Sequence, residues 1–154
     1  MTLPSIMAAL LAGFCCTVLH SLPLTGQRAR RTSVACDRIG TATIEFGRTG
    51  GNIKPTATRL MPDGSVSQRA NGGAWTPSAK TVPRDVVAGL ARFAWTGGFT
   101  KLPTAPSRPT RNPDAARDFI ELRSACEAKH VEYAGGEGAP VFREILALLQ
   151  AVTR

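Results

Sequence analysis

His130 is the only histidine beyond residues 1–26, so imidazole chemistry in the body of the chain rests on it. Nucleophilic catalysis sets a hydroxyl or thiol beside a base, and the base beside an orienting group. Ser124 lies near the other side of a predicted turn, and no GxSxG elbow presents a serine at a strand end. A lone histidine on a hairpin strand reads as a surface residue. Asp114, Asp118, Glu121 and Glu132 gather in the same region, but Arg117, Arg123 and Lys129 alternate with them. That mixture is explained by ion pairing between strands, with no need for an acid–base pair. The residues predict no catalytic group, and the chain reads as a non-enzyme.

Binding chemistry is better represented. Thr49-Gly50-Gly51-Asn52 has the backbone freedom to cradle an anion, although it reads more simply as a turn. There is no GxGxxG and no P-loop lysine, so no cofactor is expected. Trp75 lies in a Gly-rich stretch, where an aromatic side chain suits a contact anchor. Arg48, Thr49, Gly50, Gly51 and Trp75 are therefore the candidate partner-contact residues. The absence of any CxxC pair, with a single histidine in the body, argues against a metal site. Cys36 and Cys126 are the candidates for one disulfide, and two unrelated thiols fit the sequence equally well. A bridge would close a loop of about 90 residues, for which chain entropy gives an upper figure of ~4–5 kcal/mol.

The charge is +8, of which Arg28, Arg30 and Arg31 supply three, leaving +5 on a body whose basic residues are scattered. Nucleic-acid binders cluster basic residues with aromatics or carry a known module, and neither is present. Ile6–Leu19 (IMAALLAGFCCTVL) is uncharged and matches the h-region of a secretory signal in length, short of the ~20 residues of a spanning helix. The preceding MTLPS lacks Lys and Arg, and Leu19 spoils the cleavage site expected after Ser21, so an uncleaved anchor stands beside a cleaved signal. LAGF before Cys15 and Cys16 misses a lipobox by one residue, and LPLTG (Leu22–Gly26) is on the wrong side of the apolar run for a sorting signal. The expectation is an exported chain whose only membrane attachment is this leader. Residues 1–26 form the signal or anchor, 27–40 a polar tether and 41–153 one domain.

The elements that must position these residues follow from periodicity. Ala42, Ile44 and Phe46 alternate with polar residues and predict a strand, as do Thr56–Met61 and Ser65–Arg69 around the Pro62-Asp63-Gly64 turn. Residues 71–80 read as irregular. A helix is expected from Pro83 to Trp95, with Val86, Val87, Leu90, Phe93 and Ala94 as its apolar stripe and Gly97-Gly98 as its stop. Pro103–Asp114, with four prolines, predicts a long loop. Arg117–Ser124 and Lys129–Ala134 predict a hairpin. A last helix from Pro140 to Val152 carries Phe142, Ile145, Leu148 and Leu149 towards the core. The predicted class is α+β in the order ββ-α-ββ-α, an antiparallel sheet with two helices packed on one face.

IEFGRTGG (Ile44–Gly51), GGFTKLP (Gly97–Pro103), PDAARDFIEL (Pro113–Leu122) and GAPVFREILALL (Gly138–Leu149) together resemble emfourin-type proteins. These small bacterial proteins are similar to the protealysin inhibitor, which blocks thermolysin-like metallopeptidases. The resemblance covers most of residues 42–152 and implies a protein partner, inhibition of such a peptidase, and no catalysis. The chain departs from the pattern in its Pro62–Gly64 hairpin, the segment around Trp75 and the apolar leader, and no inhibitory residue is carried over. A structural or accessory protein of the cell envelope is the alternative.

Overall fold

The structure, a computed structural model, describes residues 39–104 and 115–154. The leader, the tether up to residue 38, Cys36 and Asp114 lie outside the described residues. Six strands and two helices follow in order: β1 (Thr43–Thr49), β2 (Thr56–Leu60), β3 (Ser65–Ala70), β4 (Thr76–Thr81), α1 (Arg84–Thr96), β5 (Arg117–Arg123), β6 (Ala128–Ala134) and α2 (Pro140–Thr153). All strands pair antiparallel in one sheet of spatial order β4-β3-β2-β1-β5-β6. The class is α+β, as predicted, but the order is ββββ-α-ββ-α. The expected ββ-α-ββ-α order is corrected by two strands before α1.

The strand read as irregular is β4. Its sequence, TPSAKT, offers no apolar alternation because it is a sheet edge exposed almost throughout, and its pairing with β3 shifts register between Ser65 and Ser67. Pro77 and Lys80 on this edge are residues that discourage another strand from adding to it.

Residues opposite one another in an antiparallel pair share a face of the sheet. The registers Ile44↔Leu60, Ile44↔Leu122, Phe46↔Ile120, Leu60↔Val66 and Ile120↔Val131 place these residues on one face. All are buried in one cluster with Val87, Leu90, Ala91 and Ala94 of α1 and Phe142, Ile145 and Leu149 of α2. Both helices therefore cover the same face. Tyr133 of β6 meets Phe142 edge-on, with ring centroids 4.9 Å apart, and ties α2 to the sheet. The α1 stripe is narrower than its periodicity suggests. Val86 and Phe93 are exposed, and α1 buries Val87, Leu90, Ala91 and Ala94 instead; Leu148 on α2 is exposed as well.

Two breaks are set by local chemistry. Gly97 donates to the Phe93 carbonyl and Gly98 takes a φ of 91°, ending α1 so that Phe99 and Leu102 fold back onto the core. At Pro62-Asp63-Gly64 the Asp63 carboxylate accepts from the Ser65 amide and hydroxyl, and Val82 N–H donates to the Gly64 carbonyl. The hairpin tip is thereby fastened to the start of α1. Those two Ser65 bonds hold the Asp63 carboxyl below its ordinary pKa.

Candidate functional site: the uncovered face of the sheet

The opposite face carries no helix among the described residues, and the same registers give its contents. One row crosses the sheet as Arg69–Ala57–Gly47–Phe119–Glu132, and the next as Ser67–Arg59–Glu45–Glu121–His130. Glu45 and Glu121 are direct cross-strand neighbours, and two like charges so placed need cations to hold them. Arg59 supplies one, its Nε and Nη2 each 2.8 Å from Glu45 Oε1. Arg123 pairs with Glu121, and Arg117 with Glu132 at 3.1 Å. Burial raises the Glu121 pKa, but Arg123 and then His130 outweigh it, and the net displacement is downward.

His130 sits between two carboxylates, Nδ1 3.5 Å from Glu121 and Nε2 3.6 Å from Glu132, its ring stacked on Phe119 at 5.7 Å. These neighbours orient an imidazole but bring no hydroxyl or thiol to it. Of the expected pairing between strands, the β5–β6 hairpin shows Arg117–Glu132; Arg123 reaches Glu121 along β5 itself, and Asp118 pairs across to Arg48 of β1. The last pair follows from the β1–β5 register, which sets Arg48 opposite Asp118.

At the other end of this face stands Trp75. The guanidinium of Arg59 lies 4.0 Å from the centroid of its ring and that of Arg69 4.6 Å. Beside it is a cleft of about 260 Å³ whose lining includes Arg69, Ala57, Phe119, Pro55 and Thr49. The cleft exists because the row between Arg69 and Phe119 holds only Ala57 and Gly47. A Cβ on Gly47 would stand 2.1 Å from the Thr56 carbonyl oxygen, so the position admits no side chain.

The predicted contact residues divide accordingly. Thr49 and Arg48 line this cleft, and Trp75 anchors its neighbour Arg69. Gly50 and Gly51 form the β1–β2 turn with φ of 71° and 63°, which supports their reading as a turn. The Arg48 guanidinium is engaged by Asp118 at 2.9 Å, whose hydrogen bond and then charge raise its pKa further. Arg59 and Arg69 are the residues that the sequence reading passed over. A signal was available for Arg69, which falls on the side of its predicted strand opposite Val66; Arg59 shares its side with Ala57 and Met61, so alternation did not single it out.

Cys126 lies in the exposed β5–β6 turn, and its proposed partner Cys36 is outside the described residues. No described helix is long and apolar enough to cross a membrane. Among the described residues no cluster of three His, Cys, Asp or Glu is placed to hold a metal. No protein-family model matches the chain, and a search of curated proteins finds no significant match.

Proposed function

We propose that this chain is an exported, non-catalytic binding domain that meets a protein partner through the uncovered face of its sheet. The observation that supports this reading is the Trp75–Arg59–Arg69 stack beside the cleft. Tryptophan and arginine are the residue types that most often carry interface energy. Here they stand on a face that the two helices leave open, with the Glu45, Glu121 and Glu132 carboxylates extending the surface. A flat surface of alternating charge with one aromatic anchor fits recognition of another protein surface better than turnover of a small substrate.

The partner class that the emfourin resemblance implies is a thermolysin-like metallopeptidase, and inhibition is the activity to test. The full chain, titrated into a panel of such peptidases, is expected to slow at least one at stoichiometric amounts. Trp75→Ala is expected to relieve that inhibition. A panel left at full activity sinks the inhibitor reading. If site-specific crosslinkers at Arg59 and Glu121 also capture no partner in the native host, the binding reading falls with it.

A further inference from the structure

The two arginines on Trp75 are not equivalent. Arg59 spends its in-plane donors on Glu45. Arg69 has no carboxylate within 4.0 Å among the described residues, and its side chain makes no hydrogen bond there. Stacking uses the face of a guanidinium and leaves its N–H groups, which lie in the plane, available for a forked contact with an anion. Arg69 also lines the cleft, and across the Ala57–Gly47 floor the opposite wall is Phe119. Adjacent strands are about 4.8 Å apart, so a guanidinium and an aromatic wall face each other across three strand spacings of small residues. At about 260 Å³ the space is that of a single residue-sized group.

We propose that this cleft binds a carboxylate carried on a compact apolar body, the chemistry found at the C-terminal residue of a peptide. Arg69 takes the carboxylate through its in-plane N–H donors, Trp75 holds the guanidinium in place, and the apolar body rests on Ala57 and against Phe119. Arg48, the other arginine of the lining, is held by Asp118, so a bare anion would use Arg69 and gain nothing from the floor. A neutral apolar group would leave the cation unmatched. The proposal takes its location from the uncovered-face reading above, but its test does not depend on any peptidase.

The test follows the indole N–H of Trp75 by NMR in the ¹⁵N-labelled full chain, with the Trp95 indole, packed against the core, as internal reference. N-acetyl-phenylalanine is expected to shift Trp75 saturably and leave Trp95 in place, whereas the corresponding amide binds at least about tenfold more weakly. Arg69→Met is expected to lose the acid by a similar factor with Trp95 unmoved, which also reports that the variant folds. Arg69→Lys keeps the charge without the fork and is expected to fall between. A tetrapeptide ending in phenylalanine, as free acid, separates the two sources: tighter binding than the small acid assigns the cleft to chain ends, and equal binding assigns it to free acids. The proposal is overturned if acid and amide bind alike, if Arg69→Met retains the acid, or if inorganic phosphate competes equally. In those cases the partner-binding reading stands or falls on its own peptidase and crosslinking results.

Discussion

The guanidinium of Arg59 lies 4.0 Å from the centroid of Trp75, and the same arginine is held by Glu45 on β1. One side chain thus links three segments: the central strand, its neighbour and the residue that precedes β4. Arg69 of β3 is the second cation on Trp75, at 4.6 Å, and the edge strand itself is paired to β3. The expected consequence is energetic coupling. A double-mutant cycle between Trp75→Ala and Arg59→Met, read by urea unfolding, should return about 0.5–1 kcal/mol of coupling, the size of an exposed cation–π contact. Additive single effects would show that the stack contributes nothing to stability.

Gly64 is required twice over. Its φ is 89°, and a Cβ there would stand 2.0 Å from the Val82 carbonyl oxygen, a backbone atom fixed just before α1. Gly72 has a φ of 69° but open space around it. Gly72→Ala should therefore cost only the left-handed penalty of about 1–2 kcal/mol. Gly64→Ala adds a clash that only separating the hairpin tip from Val82 relieves, and it should lose more than Gly72→Ala, about 3 kcal/mol or more. Chemical unfolding of the two variants side by side checks the order. Equal losses would mean that the tip moves away freely.

The elements legible in the sequence were those with a dry side. Ile44 and Phe46, or Phe142, Ile145 and Leu149, recur at the period of the element that buries them, so β1, β2, β5, β6 and both helices were readable, and the Pro62-Asp63-Gly64 turn signal made β3 readable too. The β4 edge was not. It rests on backbone pairing to β3 and on no buried side chain of its own, so TPSAKT leaves no hydrophobic trace. The site divides the same way. Trp75 was conspicuous by type and setting, but its two arginines are brought to it by the β2–β3 register, 16 and 6 residues away in sequence. Val86 and Phe93 mark the converse error: helical period alone overstates burial on α1, which buries Val87, Leu90, Ala91 and Ala94 instead.

Glu121 gives the uncovered face a pH dependence whose sign follows from its neighbours. Burial works against its ionisation, while Arg123 and His130 favour it and prevail, so the folded-state pKa lies below that of the unfolded chain. A carboxylate depressed in this way stabilises the fold above its unfolded pKa, and that contribution is lost as pH falls through the folded one. Glu45 across the strand and Glu132 beyond His130 face the same cluster, so repulsion among carboxylates limits the gain. With solvent screening, Glu121→Gln is expected to cost up to about 1 kcal/mol at pH 7. Wild type and variant should converge below the carboxylate range. Thermal melts from pH 7 to pH 3 test this, and a difference that persists at the acid end would assign the loss to packing.

Gly47 connects the fold to the cleft. It lies on β1, a central strand, and an added Cβ would meet the Thr56 carbonyl oxygen at 2.1 Å and the Ala57 Cα at 2.8 Å. Both are backbone atoms of β2, so no rotamer change gives relief, and β1 and β2 must part near the turn that joins them. Gly47→Ala is expected to destabilise by about 2 kcal/mol or more. Because the parting occurs beneath the row Arg69–Ala57–Gly47–Phe119, it should also raise the floor of the cleft. Hydrogen exchange separates the local effect from the global one. Amides of Thr56 and Ala57 should lose protection beyond the overall drop, while those of β6, two strands away, follow the overall drop alone. Uniform loss across the sheet would mean that the strain spreads through the whole sheet and is not confined to the cleft.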